Sequence, residues 1–181
     1  MKNGLPKKLN YNGNSVDLGH LHPFTHKLSG HGLGGQDLIL RVGFRSHVFS
    51  IKPRSRGHDF LDENNNQRDF CPIRYEFSFC LPGEVRKMLD NNVFTWEERD
   101  KNQMTNLAVI APARSNLDSG LHNTLFYHLY PSKLEHIDVE FSVKTCYEKQ
   151  INFNRKRRQK KEKIRGLVKK AHYQNTRIPK N

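Results

Sequence analysis

Cysteine is scarce in this chain, apolar residues are sparse, and acids are nearly missing where the charge is densest. Each shortage excludes something. The three cysteines, Cys71, Cys80 and Cys146, are an odd number with no C-x-x-C spacing. No disulfide framework follows, and the expected setting is a reduced, cytoplasmic one. Cys71, next to Phe70, and Cys80, on an expected strand, read as small buried residues. No apolar run approaches the ~18 residues of a spanning helix, and the start, MKNGLPKKLNYNGNS, lacks the apolar core of a signal peptide. There is no P-loop, no G-x-G-x-x-G, no serine or cysteine nucleophile motif, no paired-carboxylate motif and no internal repeat. Phosphoryl transfer from a nucleotide and Rossmann-type redox chemistry are therefore not expected, and no cofactor is called for.

What is present is positive charge, unevenly placed. The chain holds 31 Lys and Arg against 18 Asp and Glu, a formal charge of +13. Residues 151–181 carry twelve of those cations against Glu162 alone. The preceding 150 residues hold nineteen cations and seventeen acids. A nearly neutral body with a cationic tail points to a polyanionic partner. The expected nucleic-acid ligands are Arg155, Lys156, Arg157, Arg158, Lys160, Lys161, Lys163, Arg165, Lys169 and Lys170. Neutralising phosphates with such a set gives salt-sensitive, sequence-independent binding. RNA ranks before DNA, a nucleoprotein complex is included, and an acidic protein is the alternative partner. Ile164, Leu167, Val168 and Ala171 recur at i, i+3, i+4 and i+7, which makes the tail a basic amphipathic helix with Asn152 or Asn154 as its N-cap. That stripe is too narrow for a membrane.

Only 35% of residues are hydrophobic, and they cluster between Leu38 and Tyr147. The expected organisation is a flexible N-terminal arm (1–36), an α+β core domain (37–150) and the basic tail (151–181). In the core, LILRVGF puts Leu38, Leu40, Val42 and Phe44 on one side at period two, and IRYEFSFC reads as a second strand. LDENNNQ reads as a mobile loop. Pro82 opens a helix with Val85, Met88 and Leu89 inward. Four antiparallel strands follow: NVFTWEER, TNLAVIAPA, LHNTLFYHLYP and HIDVEFSVKTCYEK. The fold class is α+β, an antiparallel sheet of about five or six strands with one packed helix.

Two constellations carry chemistry. The second face of the first strand stacks Arg41, Arg45 and His47, and Arg74 joins them if the strands pair. A histidine with arginines and no metal suits metal-independent RNA cleavage: the histidine moves the proton of the 2′-hydroxyl and the arginines stabilise the phosphorane. Tyr147 would position substrate. The competing reading is a basic sheet face that contacts phosphate without chemistry. The second constellation is His20, His22, His26 and His31 within twelve residues, a weak alternative metal site. Pro23 interrupts helical pairing of His22 and His26, so the segment reads as a surface loop with no metal.

The runs HPFTH, RVGFRSHVFS, RDFCPIRYEFSFCLP, NLAVIAPA and VKTCY resemble a group of short uncharacterised proteins encoded on bacterial phages and mobile elements. The matching positions are His22–Phe24, His47–Phe49, Phe70–Cys71, Arg74–Tyr75, Leu81–Pro82 and Thr145–Tyr147. Ser50 stands where that group has threonine, and Thr-Cys-Tyr where it has Ser-Ala-Tyr. The resemblance spans residues 20–149 and implies no established activity. A helix followed by four antiparallel strands is also similar in layout to barnase/EndoU/RelE-like ribonucleases, and a layout does not fix a function. The resulting expectation is a nucleic-acid- or nucleoprotein-binding protein, with a metal-independent endoribonuclease built on His47 as the alternative.

Overall fold

The computed structural model describes residues 5–54, 57–100, 103–110, 118–156 and 159–180. In chain order the elements are β1 (Lys8–Tyr11), β2 (Asn14–Asp17), β3 (Phe24–Leu28), β4 (Leu38–Phe44), β5 (Ser50–Ile51), β6 (Phe60–Leu61), β7 (Gln67–Phe70), α1 (Pro72–Ser78), α2 (Leu81–Asp90), β8 (Phe94–Asp100), β9 (Gln103–Val109), β10 (Gly120–Pro131), β11 (Val139–Ile151), α3 (Phe153–Lys156), β12 (Lys161–Lys163) and α4 (Ile164–Tyr173). The class is α+β. A seven-stranded sheet runs β12-β8-β9-β10-β11-β4-β3, and its one parallel contact is β11 with β4.

Seven strands stand where five or six are expected, because the two supposed arms each add an edge. The N-terminal segment is not a flexible arm. It opens with a hairpin whose Asn12 and Gly13 both take positive φ, 50° and 76°, the turn that an Asn-Gly pair favours. It then buries Leu18, Leu21 and Leu28 and supplies β3 along β4. At the opposite end of the sheet the tail adds β12 to β8. A strand reading Lys-Glu-Lys has no apolar residue to betray it. Its lysines also protect the sheet edge from pairing with another chain.

The segment IRYEFSFC is a helix, not a strand. Pro72 sits in its first turn, where the missing N–H costs nothing. The alternation of aromatics is overridden by contacts at helical spacing. Tyr75, Ser78 and Phe79, at i, i+3 and i+4, all meet His20, whose ring stacks on Phe79 at 3.9 Å and meets Tyr75 edge-on at 5.5 Å. Ser78 gives its proton to the Tyr75 carbonyl at 2.6 Å, so His20 Nε2 donates to Ser78 Oγ at 2.7 Å. Ile73 and Phe79, which would share the apolar face of a strand with Tyr75 and Phe77, are exposed.

The main core lies between one sheet face and the helices α2 and α4. Val85, Met88 and Leu89 enter it from α2, and Ile164, Leu167, Val168 and Ala171 from α4. Each large aliphatic side chain so buried contributes about 1.5–3 kcal/mol. The N-cap of α4 is Lys163, without a side-chain bond. Asn152 instead caps α3, its Oδ1 accepting the Arg155 amide at 3.1 Å. On the other sheet face a smaller cluster joins Trp96, Leu107, Val109, Phe126, Ile151 and Phe153.

One irregularity decides which side chains reach that second face. The β10–β11 register shifts between Phe126, opposite Thr145, and Tyr127, opposite Val143, so Lys144 is the extra residue of a bulge. Val139, Phe141 and Val143 face the main core, and beyond the bulge Cys146 does. Tyr147 is thereby turned to the opposite face from Val143, against its place in the period-two pattern. Cys146 is buried, and burial pushes its thiol up to about 12. Cys71 is half-buried, and Cys80, expected inside, is exposed.

Candidate nucleic-acid interface

His47 lies in a short 3-10 turn, Ser46–Val48, between β4 and β5. The turn forms because Val48 and Phe49 enter the core while Ser46, also buried, gives its amide and hydroxyl to Glu63 at 2.7 and 2.8 Å. Arg74 Nη1 donates to the carbonyls of His47 and Ser50 at 3.1 and 2.8 Å. Thr145 Oγ1 donates to the same His47 carbonyl at 3.1 Å. Arg68, buried, holds Ser50 through its hydroxyl and its carbonyl, each at 3.1 Å. The turn is therefore pinned by three elements besides its own.

The imidazole of His47 is held by Asp62, Nε2 to Oδ2 at 3.3 Å. Asp62 itself is buried and accepts the amides of Asn64 and Asn66 at 2.8 and 2.9 Å. Burial works to raise that carboxyl, but these bonds with those from Asn66 and His47 side chains outweigh it and hold it low. Burial, then the Arg68 charge, lowers His47 against the pull of Asp62. A neutral ring whose Nε2–H faces a carboxylate keeps the Nδ1 lone pair as its proton acceptor. Asp62 and Glu63 escaped the sequence reading, which took LDENNNQ as mobile. The available signal was an aspartate with asparagines two and four positions on, the pattern of an Asx turn.

Of the residues read as one site, His47, Arg74 and Tyr147 come together. Arg74 lies 5.6 Å above the Tyr147 ring, and that ring stacks on Phe126 at 5.1 Å. Arg41 does not join them. It pairs with Glu140 at 3.0 Å, which at ~3.3 Å per residue lies about 20 Å along β11 from Tyr147. Arg45 lies between, its Nε donating to Ser142 Oγ at 3.3 Å. Arg74 sits on α1, so the four residues do not share two paired strands as the sequence suggested.

Three of the four histidines of the N-terminal segment go to separate partners, and the four do not converge. His20 is bound by α1. His26 Nε2 lies 3.4 Å from Asp90, and His31 Nε2 lies 3.4 Å from Arg165. His22 precedes β3. Among the described residues no three His, Cys, Asp or Glu side chains gather as metal ligands.

The tail is docked rather than free, and docking sorts its cations. Arg157 and Arg158 lie outside the described residues. Lys156 is buried against Glu98, which also takes Lys149 at 2.7 Å. Burial would raise the Glu98 carboxyl, and the bonds and charges of those two lysines more than reverse this. Arg165 donates to the carbonyls of Leu89 and Asp90 at 2.8 and 2.7 Å. Lys170 pairs with Glu162. Arg155, Lys160, Lys161 and Lys163 are exposed, and Lys169 is half-exposed. Lys161 and Lys163 point alongside the ring of Phe94, 4.6 and 5.7 Å from its centroid, and that ring is 45% exposed. Tail and Tyr147 lie far apart in the sheet, because β12 forms the β8 edge.

Among the described residues no helix is long and apolar enough to cross a membrane. The sequence model of the YjaZ family matches residues 8–172, from β1 almost to the end of α4. No curated protein and no solved structure matches the chain.

Proposed function

The chain belongs to the YjaZ family, and from that premise we propose that it binds nucleic acid, RNA before DNA, alone or within a nucleoprotein complex. Family membership brings no activity with it, so the reading rests on charge and placement. The observation that carries it is the β12–β8 edge, where Lys161 and Lys163 flank the exposed ring of Phe94. Cations beside an open aromatic face suit a strand of nucleic acid, whose phosphates meet the lysines while a base stacks on the ring. Arg155, Lys160 and Lys169 extend the charge. The tail's only acid, Glu162, is already spoken for by Lys170.

The test is fluorescence anisotropy with labelled single-stranded RNA and duplex DNA over a range of salt. Binding that weakens with salt, and weakens further in Lys161→Glu/Lys163→Glu, supports the reading. Affinity indifferent to salt and to both charge reversals sinks it, and tight binding of an acidic protein under those conditions transfers the surface to that partner.

A second reading is favoured by the His47–Asp62 contact. A histidine oriented by a buried carboxylate, with Arg74 and Tyr147 beside it, is arranged as a general base for metal-independent RNA cleavage. Only His47 and Arg74 of the expected set, with Tyr147, can serve there. Incubation of the chain with RNA in EDTA, beside His47→Ala, decides it: RNA left intact by the unaltered chain removes this reading.

A further inference from the structure

The small sheet β5-β7-β6 carries an open cleft of its own, about 670 Å³ in volume, bounded also by the β1–β2 turn and the start of α1. Its chemistry differs from that of the tail. The apolar wall comes from Tyr11, Ile51 and Phe70, with the Tyr11 and Phe70 rings 4.6 Å apart. The polar wall comes from Arg54, His58, Asp59 and Asp69. Local pairing brings these groups together. Asp69 stands opposite Ile51 in the β5–β7 ladder. Its Oδ2 accepts the Arg54 amide at 3.2 Å, which ties the chain leaving β5 to β7. Asp59, just ahead of β6, accepts the Phe70 amide on its Oδ2 at 2.7 Å.

Each of these bonds uses one carboxylate oxygen. Among the described residues no hydrogen bond or ion pair engages Oδ1 of Asp59 or Asp69, the Arg54 guanidinium or the His58 ring. Arg68, the cation next in sequence to Asp69, is buried and given to Ser50. Arg54 and Asp59 are exposed and Asp69 is half-buried, so a ligand can reach all three.

Charge counting selects that ligand. A phosphate would meet Arg54 but also two carboxylates, and like charges in one site repel. A simple amine would pair with the carboxylates and leave Arg54 uncompensated. A neutral base would desolvate three charges and neutralise none. A zwitterion with an apolar side chain answers each group. Its ammonium pairs with the carboxylates, its carboxylate takes the two-pronged guanidinium, and its side chain covers the aromatic wall. The volume also suits it, since small-molecule sites run to roughly 300–1,000 Å³.

We propose that this cleft binds a free α-amino acid with an apolar side chain. The ammonium pairs with Asp59 and Asp69, the carboxylate with Arg54, and the side chain lies against Tyr11 and Ile51. The site is independent of the nucleic-acid reading and sits on a different sheet from the β12–β8 edge.

The test uses the full chain, unaltered and as Arg54→Ala and Asp59→Asn. Arg54→Ala keeps the amide that Asp69 holds, and Asp59→Asn keeps an oxygen for the Phe70 amide. Thermal unfolding followed by circular dichroism verifies the fold of each. Phenylalanine and leucine are titrated by isothermal calorimetry, beside phenethylamine, which lacks the carboxylate, 3-phenylpropionate, which lacks the ammonium, and AMP. The expected result is saturable binding of at least one of the two amino acids. Loss of either charged contact, in the ligand or in the protein, should weaken it roughly tenfold or more. Arg54→Ala should not weaken phenethylamine, and Asp59→Asn should not weaken 3-phenylpropionate, because each analogue already lacks the group concerned. No saturable binding of either amino acid overturns the site. Binding that survives both substitutions overturns its placement in this cleft. AMP bound more tightly than both amino acids, and lost in Arg54→Ala, overturns the zwitterion and makes the cleft a phosphate site.

Discussion

Arg165 of α4 closes the end of α2: its Nη2 donates to the Asp90 carbonyl at 2.7 Å while its Nε donates to that of Leu89 at 2.8 Å. The last carbonyls of a helix have no partner within it and carry partial negative charge. A guanidinium placed there satisfies two of them at once. A cation that sequence alone assigns to a nucleic acid is thus committed to the fold. Arg165→Ala should destabilise the chain by about 2 kcal/mol, readable as a lower midpoint in thermal or urea unfolding. Lys169→Ala should leave that midpoint in place and weaken RNA binding instead. Equal midpoints for Arg165→Ala and the unaltered chain would remove the capping role.

Removal of residues 154–181 should abolish folding rather than only lower affinity. The deletion takes away β12 and α4, and with them Ile164, Leu167, Val168 and Ala171 from the main core. It also removes the Ile178 backbone pairing with Leu129, 2.9 Å in both directions. Loss of the cooperative unfolding transition, measured by circular dichroism, is expected. A truncated chain that still unfolds cooperatively near the original midpoint would show that the tail is dispensable to the fold.

Glu98 should matter more than a surface carboxylate. It holds Lys149 at 2.7 Å and the buried Lys156, and Trp96 Nε1 donates to the Lys156 carbonyl at 3.2 Å. Glu98→Ala leaves a buried ammonium without its counter-charge, at a cost of roughly 3 kcal/mol. Lys156→Met removes both the charge and its need, and should cost less. Urea unfolding of the two variants gives the order, and a Glu98→Ala change as small as Lys156→Met would refute it.

Acid should destabilise the chain in a window set by its buried histidines. Burial, Arg177, Lys144 and Arg45 lower His128 from 6.5 to about 4. Between those values the unfolded chain binds a proton that the folded chain does not, so unfolding is favoured as pH falls. Below about 4 both states are protonated and the loss is complete. His128 contributes about 3 kcal/mol of this at most. His20, His26, His31 and His47 are lowered as well, so His128→Gln should reduce the slope without flattening it. Urea midpoints at pH 7 and pH 4.5 check this; a pH dependence identical in His128→Gln would contradict the burial argument.

Local pattern made much of this architecture legible. The helix at Leu81–Asp90 and the stripe of α4 follow from apolar residues at helical spacing, and five strands of the sheet, β4 and β8 to β11, from their apolar patterns. Where reading failed, two signals competed or one was missing. IRYEFSFC alternates as a strand does, yet Pro72 and the His20 contacts make it a helix. LDENNNQ is polar throughout, yet Asp62 organises it and orients His47.

Composition and periodicity alone determined the excess of cations, the absence of a disulfide framework, and which face of α4 turns inward. These depend on residue type and on neighbours within two turns. Tertiary structure decided which cations remain at the surface, because Glu98 and the end of α2 claim Lys156 and Arg165 from elsewhere in the chain, and the folded tail brings Lys170 onto its own Glu162. It also decided that Tyr147 and Val143 face opposite ways, since a single bulge at Lys144 reverses every later side chain. A strand's period cannot announce its own interruption. That depends on the partner strand, and the partner is chosen only when the sheet closes.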